Sequence, residues 1–279
     1  MNDVPIISVG FDGYPLKQTI ELLAKTGSTR ICLCALDEFT HHVLPEQLEP
    51  QEWREVRGLL ADNGLSLYGL EGHTDVSDPR NMQKIRKRME FTRFLGGQYY
   101  DSSAGPSGGE TSFLKNMKSL AELAKELEIL FCLETHGDII GTGREAAKVI
   151  EKIGSEQVRL CYDPANVYFY SRGAVDPVKD VEWAIERIGL IHFKGVNHDP
   201  QRREWSFPLM KEAAFGYEDF FALLEKRGYR GAVAIEIEKM FHFSEQAGFV
   251  RESMWTVQAI LEAYRSEIDY LGRRLHWIP

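Results

Sequence analysis

Residues 130–167, LFCLETHGDIIGTGREAAKVIEKIGSEQVRLCYDPANV, decide the fold. The stretch opens on a short apolar run that reads as a strand and ends in Glu134 and His136, two apart and so on one face. A helical segment follows, with Ala146, Val149, Ile150 and Ile153 at helical spacing and Gly154 just past its end. A second apolar run then climbs to Asp163, with Pro164 and Asn166 in the turn behind it. Strand, helix and strand in this order form a βαβ unit, which requires a parallel pair.

Outward from this unit the pattern repeats. Strands are expected at 6–11, 30–35, 65–70, 98–102, 130–135, 158–163, 190–193 and 232–237. Helical segments lie between them: LKQTIELLAKTG, PQEWREVRGLLADNG, NMQKIRKRMEFTRFLGG, FLKNMKSLAELAKELE, REAAKVIEKIG, PVKDVEWAIERIG and YEDFFALLEKRG, with a last one through MWTVQAILEAYRSEIDYL. Gly27, Gly64, Gly154, Gly189 and Gly228 stand where left-handed helix caps favour glycine. Eight such units close into a single (β/α)8 TIM barrel spanning residues 1–279. The competing open sheet usually carries an early GxGxxG turn, and the first strand ends instead in GFDGYPLKQ. One connection, residues 196–218, is too long for a plain αβ turn.

The 279 residues carry 42 Asp+Glu against 33 Lys+Arg, a net charge of −9, which disfavours nucleic acid or an anionic membrane as partner. No apolar run approaches the ~18 residues of a membrane span. The opening MNDVPIISVGF lacks the basic and long apolar regions of a signal peptide. Cys32, Cys34, Cys132 and Cys161 lie in strand-like runs without zinc spacing, so they read as buried free thiols in a reducing compartment, the cytoplasm by default.

Active sites of such barrels sit at the C-terminal strand ends. Four strands here end in polar residues: Glu134 and His136, Asp163 and Asn166, His192 and Lys194, and Glu236 and Glu238. Singly, each has a structural role open to it, as a cap, a turn starter or an ion-pair member. Converging on one mouth, the carboxylates would repel one another, and a divalent cation removes that cost. Oxygen-rich ligation with one imidazole suits Mn²⁺, Mg²⁺ or Co²⁺ better than structural Zn²⁺, although Zn²⁺ also accepts such ligands.

At these residues the chain resembles the xylose isomerase-like barrels of sugar phosphate isomerases and epimerases, also called the AP endonuclease family 2 fold. The resemblance rests on the LExHGD, DPAN, HxK and IExE elements in order, and more loosely on GLSLYGLEGHTDVSDP. It implies one divalent metal held by Glu134, Asp163, His192 and Glu236, with Glu238 as the rival for the last ligand. Two departures stand out: Gly195 replaces the Asp of the common HxKD, and residues 206–218 are longer and more aromatic than the usual GxG segment.

Such a site would acidify the C–H beside a substrate carbonyl, with Glu134 and Glu236 as the acid–base pair. Epimerisation, aldose–ketose isomerisation and dehydration share that first step. The expected substrate is a keto-sugar or polyol derivative, contacted by His73, His136, Asn166, Lys194, Trp205 and Glu238. For Phe11, Tyr68 and Tyr99 core packing is expected, while Trp205 should be buried under a pocket roof or in a homo-oligomer interface. An apurinic-site endonuclease would need a basic groove and a His-rich cluster, and a non-catalytic barrel would have lost ligands; neither pattern is present in the sequence.

Overall fold

The computed structural model describes residues 3–37, 39–252 and 255–276. Seven strands come first: β1 (Ile6–Ile7), β2 (Arg30–Cys34), β3 (Ser66–Glu71), β4 (Tyr99–Ser102), β5 (Leu130–Glu134), β6 (Val158–Tyr162) and β7 (Ile188–Phe193). Then β8 (Asn197–Asp199) and β9 (Glu204–Ser206) leave the barrel, β10 (Ala232–Ile235) closes it, and β11 (Phe241–Ser244) and β12 (Gly248–Arg251) follow. The barrel order is β1-β10-β7-β6-β5-β4-β3-β2, all neighbours parallel. The helices are α1 (Leu16–Leu23), α2 (Pro50–Asp62), α3 (Met82–Phe94), α4 (Glu110–Glu126), α5 (Gly143–Ile153), α6 (Pro164–Tyr170), α7 (Pro177–Asp180), α8 (Tyr217–Lys226) and α9 (Val257–Gly272). The last was expected from Met254, which lies outside the described residues, as do both ends of the expected 1–279 domain.

Strand alternation sorts the core into two layers. Phe131, Leu133, Ile191, Phe193, Val233 and Ile235 face outward into the helix ring. Inside, Cys32, Cys34, Cys132, Cys161, Leu190 and Ala234 form a second cluster of mostly small residues. All four cysteines are free and buried, as expected, and burial pushes their thiols well above the usual range. The small inner residues leave the upper barrel to charged side chains.

Four expectations are corrected. The first strand ends at Ile7, and residues 8–11 form a 3₁₀ turn instead of more strand. The helix read through PVKDVEWAIERIG breaks after Asp180 into two 3₁₀ turns, while a helix unforeseen in the sequence, α6, starts at Pro164 with Asp163 as its cap. Gly189 is no cap but lies in β7, where a Cβ would meet that of Arg159 at 2.6 Å. Residues 196–218 are not a plain loop either. Their two strands join β11 and β12 in a four-stranded antiparallel flap, ordered β12-β11-β9-β8.

Candidate active site

Each barrel strand delivers its last inward residue to the same mouth. Asp163 caps α6: its Oδ1 accepts from the backbone N–H of Ala165 (2.8 Å) and Asn166 (3.0 Å). Its Oδ2 is buried, has no hydrogen bond of good geometry and lies 3.3 Å from the Lys194 ammonium. Glu134 Oε1 lies 3.0 Å from His192 Nδ1 and accepts from the Asn166 amide at 3.2 Å. Glu134 Oε2 lies 2.6 Å from His73 Nε2. The Lys194 ammonium bridges Glu236 (2.9 Å), Glu238 (3.0 Å) and Asp163 (3.3 Å). Glu134, Asp163, His192 and Glu236 each bring a ligand atom within 4.8 Å of the others, and all four are buried.

Beside this set lies a further pair of carboxylates absent from the sequence expectations. Glu71 ends β3 and Asp101 lies in β4, side by side in register. Both are buried, and no oxygen of either carboxylate has a hydrogen bond. Glu71 Oε2 stands 3.6 Å from His192 Nε2, and Asp101 Oδ2 stands 3.5 Å from His73 Nε2.

The electrostatics follow from burial against partners. Burial pushes Glu71 up to about 8, with His192 opposing, and Glu238 up to about 7, with Lys194 opposing. Asp163 rises to about 6 for the same reason. Burial alone would also raise Glu134, but His73 and His192 on either side hold it well below the usual carboxylate range. Burial opposes the charge on Lys194, yet Asp163, Glu236 and Glu238 keep it well above its ordinary value. His136 goes the other way, to about 3, because burial and the nearby His73 disfavour its cation.

A chamber of about 200 Å³ opens over this cluster. Lys194, Glu236, Glu238, Glu71, His73 and His136 supply its polar wall, and Ile7, Leu36, Phe39 and Phe249 its apolar wall. His73 and His136 meet edge to face at 4.7 Å, and the Tyr170 hydroxyl lies 2.9 Å from His136 Nε2. His73 holds a left-handed backbone (φ 38°), a strained state for a non-glycine residue.

Two expected substrate contacts sit elsewhere. Trp205 is 1% exposed, as its burial predicted, but it lines no part of the chamber. Its ring stacks on His198 at 4.2 Å and meets Phe169 and Tyr168 edge-on, so it fastens the flap to α6 within one chain. Asn166 likewise is not in the lining of this chamber and instead donates to Glu134. The aromatic face at the mouth belongs to Phe249 of β12, 46% exposed and unforeseen from the sequence. Phe11, Tyr68 and Tyr99 are packed in the core or against one another, as expected.

Gly195, the departure from HxKD, has a structural cause. A Cβ there would stand 2.2 Å from the Pro208 carbonyl oxygen, which accepts from the Gly195 N–H. The segment after β9 folds back so closely that only glycine fits.

A family model described as xylose isomerase-like TIM barrel matches residues 16–258. The chain belongs to that family. The inosose dehydratase of Serratia proteamaculans (strain 568) is 26% identical over 137 residues, which cover 43% of this chain and 45% of that protein. The match therefore spans less than half the length of that relative. Among solved structures, the D-allulose 3-epimerase from Methylomonas sp. superposes with a TM-score of 0.74 at 18% identity, over 98% of both chains. A xylose isomerase-like TIM barrel protein from Mycobacterium smegmatis in complex with magnesium gives 0.74 at 15% identity, over 99% of this chain and 98% of that one. Among the described residues no helix is long and apolar enough to cross a membrane.

Proposed function

We propose that this chain is a divalent-metal-dependent isomerase or epimerase of a keto-sugar or polyol derivative. One observation carries the reading: Glu134, Asp163, His192 and Glu236, all buried, each bring a ligand atom within 4.8 Å of the others. That donor set, three carboxylates and one imidazole, fits Mn²⁺ best, and Mg²⁺ or Co²⁺ also. When bound, the ion supplies positive charge to stabilise the oxygens of an enediolate.

The protein's own groups do the rest. Glu236 lines the chamber and is placed to exchange a proton with a carbon beside the carbonyl. Glu134 acts on the other side, reached past His73, so that ring must shift as substrate enters. Lys194 and His136 offer hydrogen bonds to hydroxyls, Phe249 offers an apolar face, and the flap excludes water.

Dehydration of an inosose-like ketone is the second reading, favoured by the partial likeness to inosose dehydratase. It shares the proton abstraction and differs in the loss of a β-hydroxyl. Incubation with a panel of ketopentoses, ketohexoses and inososes in ²H₂O, with and without Mn²⁺, tests both. Metal-dependent deuterium uptake next to the carbonyl is expected. An enone absorbance would mark dehydration, and no exchange on any member would remove the proposal.

A further inference from the structure

The chamber over the carboxylate cluster is only about 200 Å³, below the ~300–1,000 Å³ usual for a ligand pocket. It does not end there. A second cavity of about 470 Å³ shares Asp37, His73, Ser103 and His136 with it. The outer cavity is walled by the turns after β3, β4 and β5 and by the start of α3, all on the catalytic face of the barrel. Together the two reach an ordinary ligand-site volume, and the residues they share place one directly beyond the other.

The chemistry of the outer wall selects what it can hold. Its carboxylates are Asp37, Asp75 and Asp138, and its one lysine, Lys84, lies 2.5 Å from Asp37 Oδ2. His73 is bound to Glu134 and His136 to Tyr170. The cations on this wall, Lys84 and His73, are therefore already paired. Lys84 and Arg88 offset Asp37, but Asp75 and Asp138 leave the wall negative, so a phosphate or carboxylate would be repelled. Carboxylate oxygens, the Asn81 amide and the Ser103 hydroxyl instead suit a neutral polyhydroxyl group, which donates to them.

We propose that the substrate is a glycosylated keto-sugar, its keto unit over the carboxylate cluster and a second neutral sugar unit in the outer cavity. This rests on the keto-sugar reading above. The test is solvent deuterium exchange by the Mn²⁺-loaded full chain, followed by proton NMR. The probes are D-fructose, the keto-disaccharides lactulose and isomaltulose, and D-fructose 6-phosphate.

At least one disaccharide should exceed D-fructose in kcat/KM by about tenfold or more. Lys84→Trp, which fills the outer cavity from the first turn of α3, should lower the disaccharide rate far more than the D-fructose rate. A D-fructose rate equal to or above both disaccharides, a preference for the phosphate, or equal losses in the variant would overturn the second-unit proposal while leaving the keto-sugar reading intact. Absence of exchange on all four probes would overturn the second-unit proposal, and the wider ketose and inosose panel decides the keto-sugar reading. The wild-type comparison decides the matter even if the variant misfolds.

Discussion

Glu236 and Glu238 illustrate what a single side chain's setting decides. The two-residue spacing made both candidates for the last metal ligand, and sequence alone cannot rank them, because both face inward. In the structure Glu236 falls in the four-residue cluster that could hold an ion, while Glu238 is bound only to Lys194 among the cluster and is pushed up to about 7 by burial. Glu236→Gln should therefore lower the exchange rate by a factor of roughly 10² or more, and Glu238→Gln by much less. The reverse order in single-turnover assays would exchange their roles. The convergence of Glu134, Asp163, His192 and Glu236 was legible because strand parity and flanking motifs fix their face. Glu71 and Asp101 were not, since YYDS and LEGH read as ordinary strand ends. Their place beside the cluster shows only once β3 and β4 are in register.

At the scale of elements, the barrel strands were legible to within a few residues because each buried run is bounded by turn signals. The flap was not. Its strands are three or four residues long, and their pairing joins segments on either side of β10, which no local pattern reports. Trp205 is its fastening. Trp205→Ala should cost about 3–5 kcal/mol of local stability, read as faster amide exchange at 197–206 and 241–251, with a raised KM and the barrel strands unchanged. Protection lost evenly across the barrel would contradict that.

A second element-scale prediction concerns α9. Its Glu267 accepts from the Met210 N–H at 3.3 Å, and burial pushes it up to about 7 from an unfolded value of 4.5. Between those values the folded chain binds more protons than the unfolded one, so stability falls as pH rises, by roughly 3 kcal/mol in all. Glu267→Gln removes this slope. The variant's Tm relative to wild type should rise between pH 5 and pH 8, and a pH-independent difference would discount the effect.

For the whole molecule, the decisive feature is where the charge sits. Six carboxylates, Glu71, Asp101, Glu134, Asp163, Glu236 and Glu238, share the upper barrel with the cations His73, His192 and Lys194. Burial, and after it the surrounding negative charge, favours retained protons, hence the raised Glu71, Glu238 and Asp163. A divalent ion offsets that charge without protons, so its binding should release them and stabilise the fold. At a free concentration 100 times Kd the gain is about 2.7 kcal/mol, which in a chain of this size raises Tm by roughly 5 °C or more. Calorimetry with Mn²⁺, and with EDTA as the control, should show that shift in the wild type. His192→Ala should abolish both the shift and stoichiometric metal by elemental analysis while the barrel stays folded. Asp163→Ala should do the same from a lower baseline, because it also loses the α6 cap, worth about 1 kcal/mol. A variant that keeps one Mn²⁺ per chain, together with the wild-type shift, would remove that residue from the ligand set.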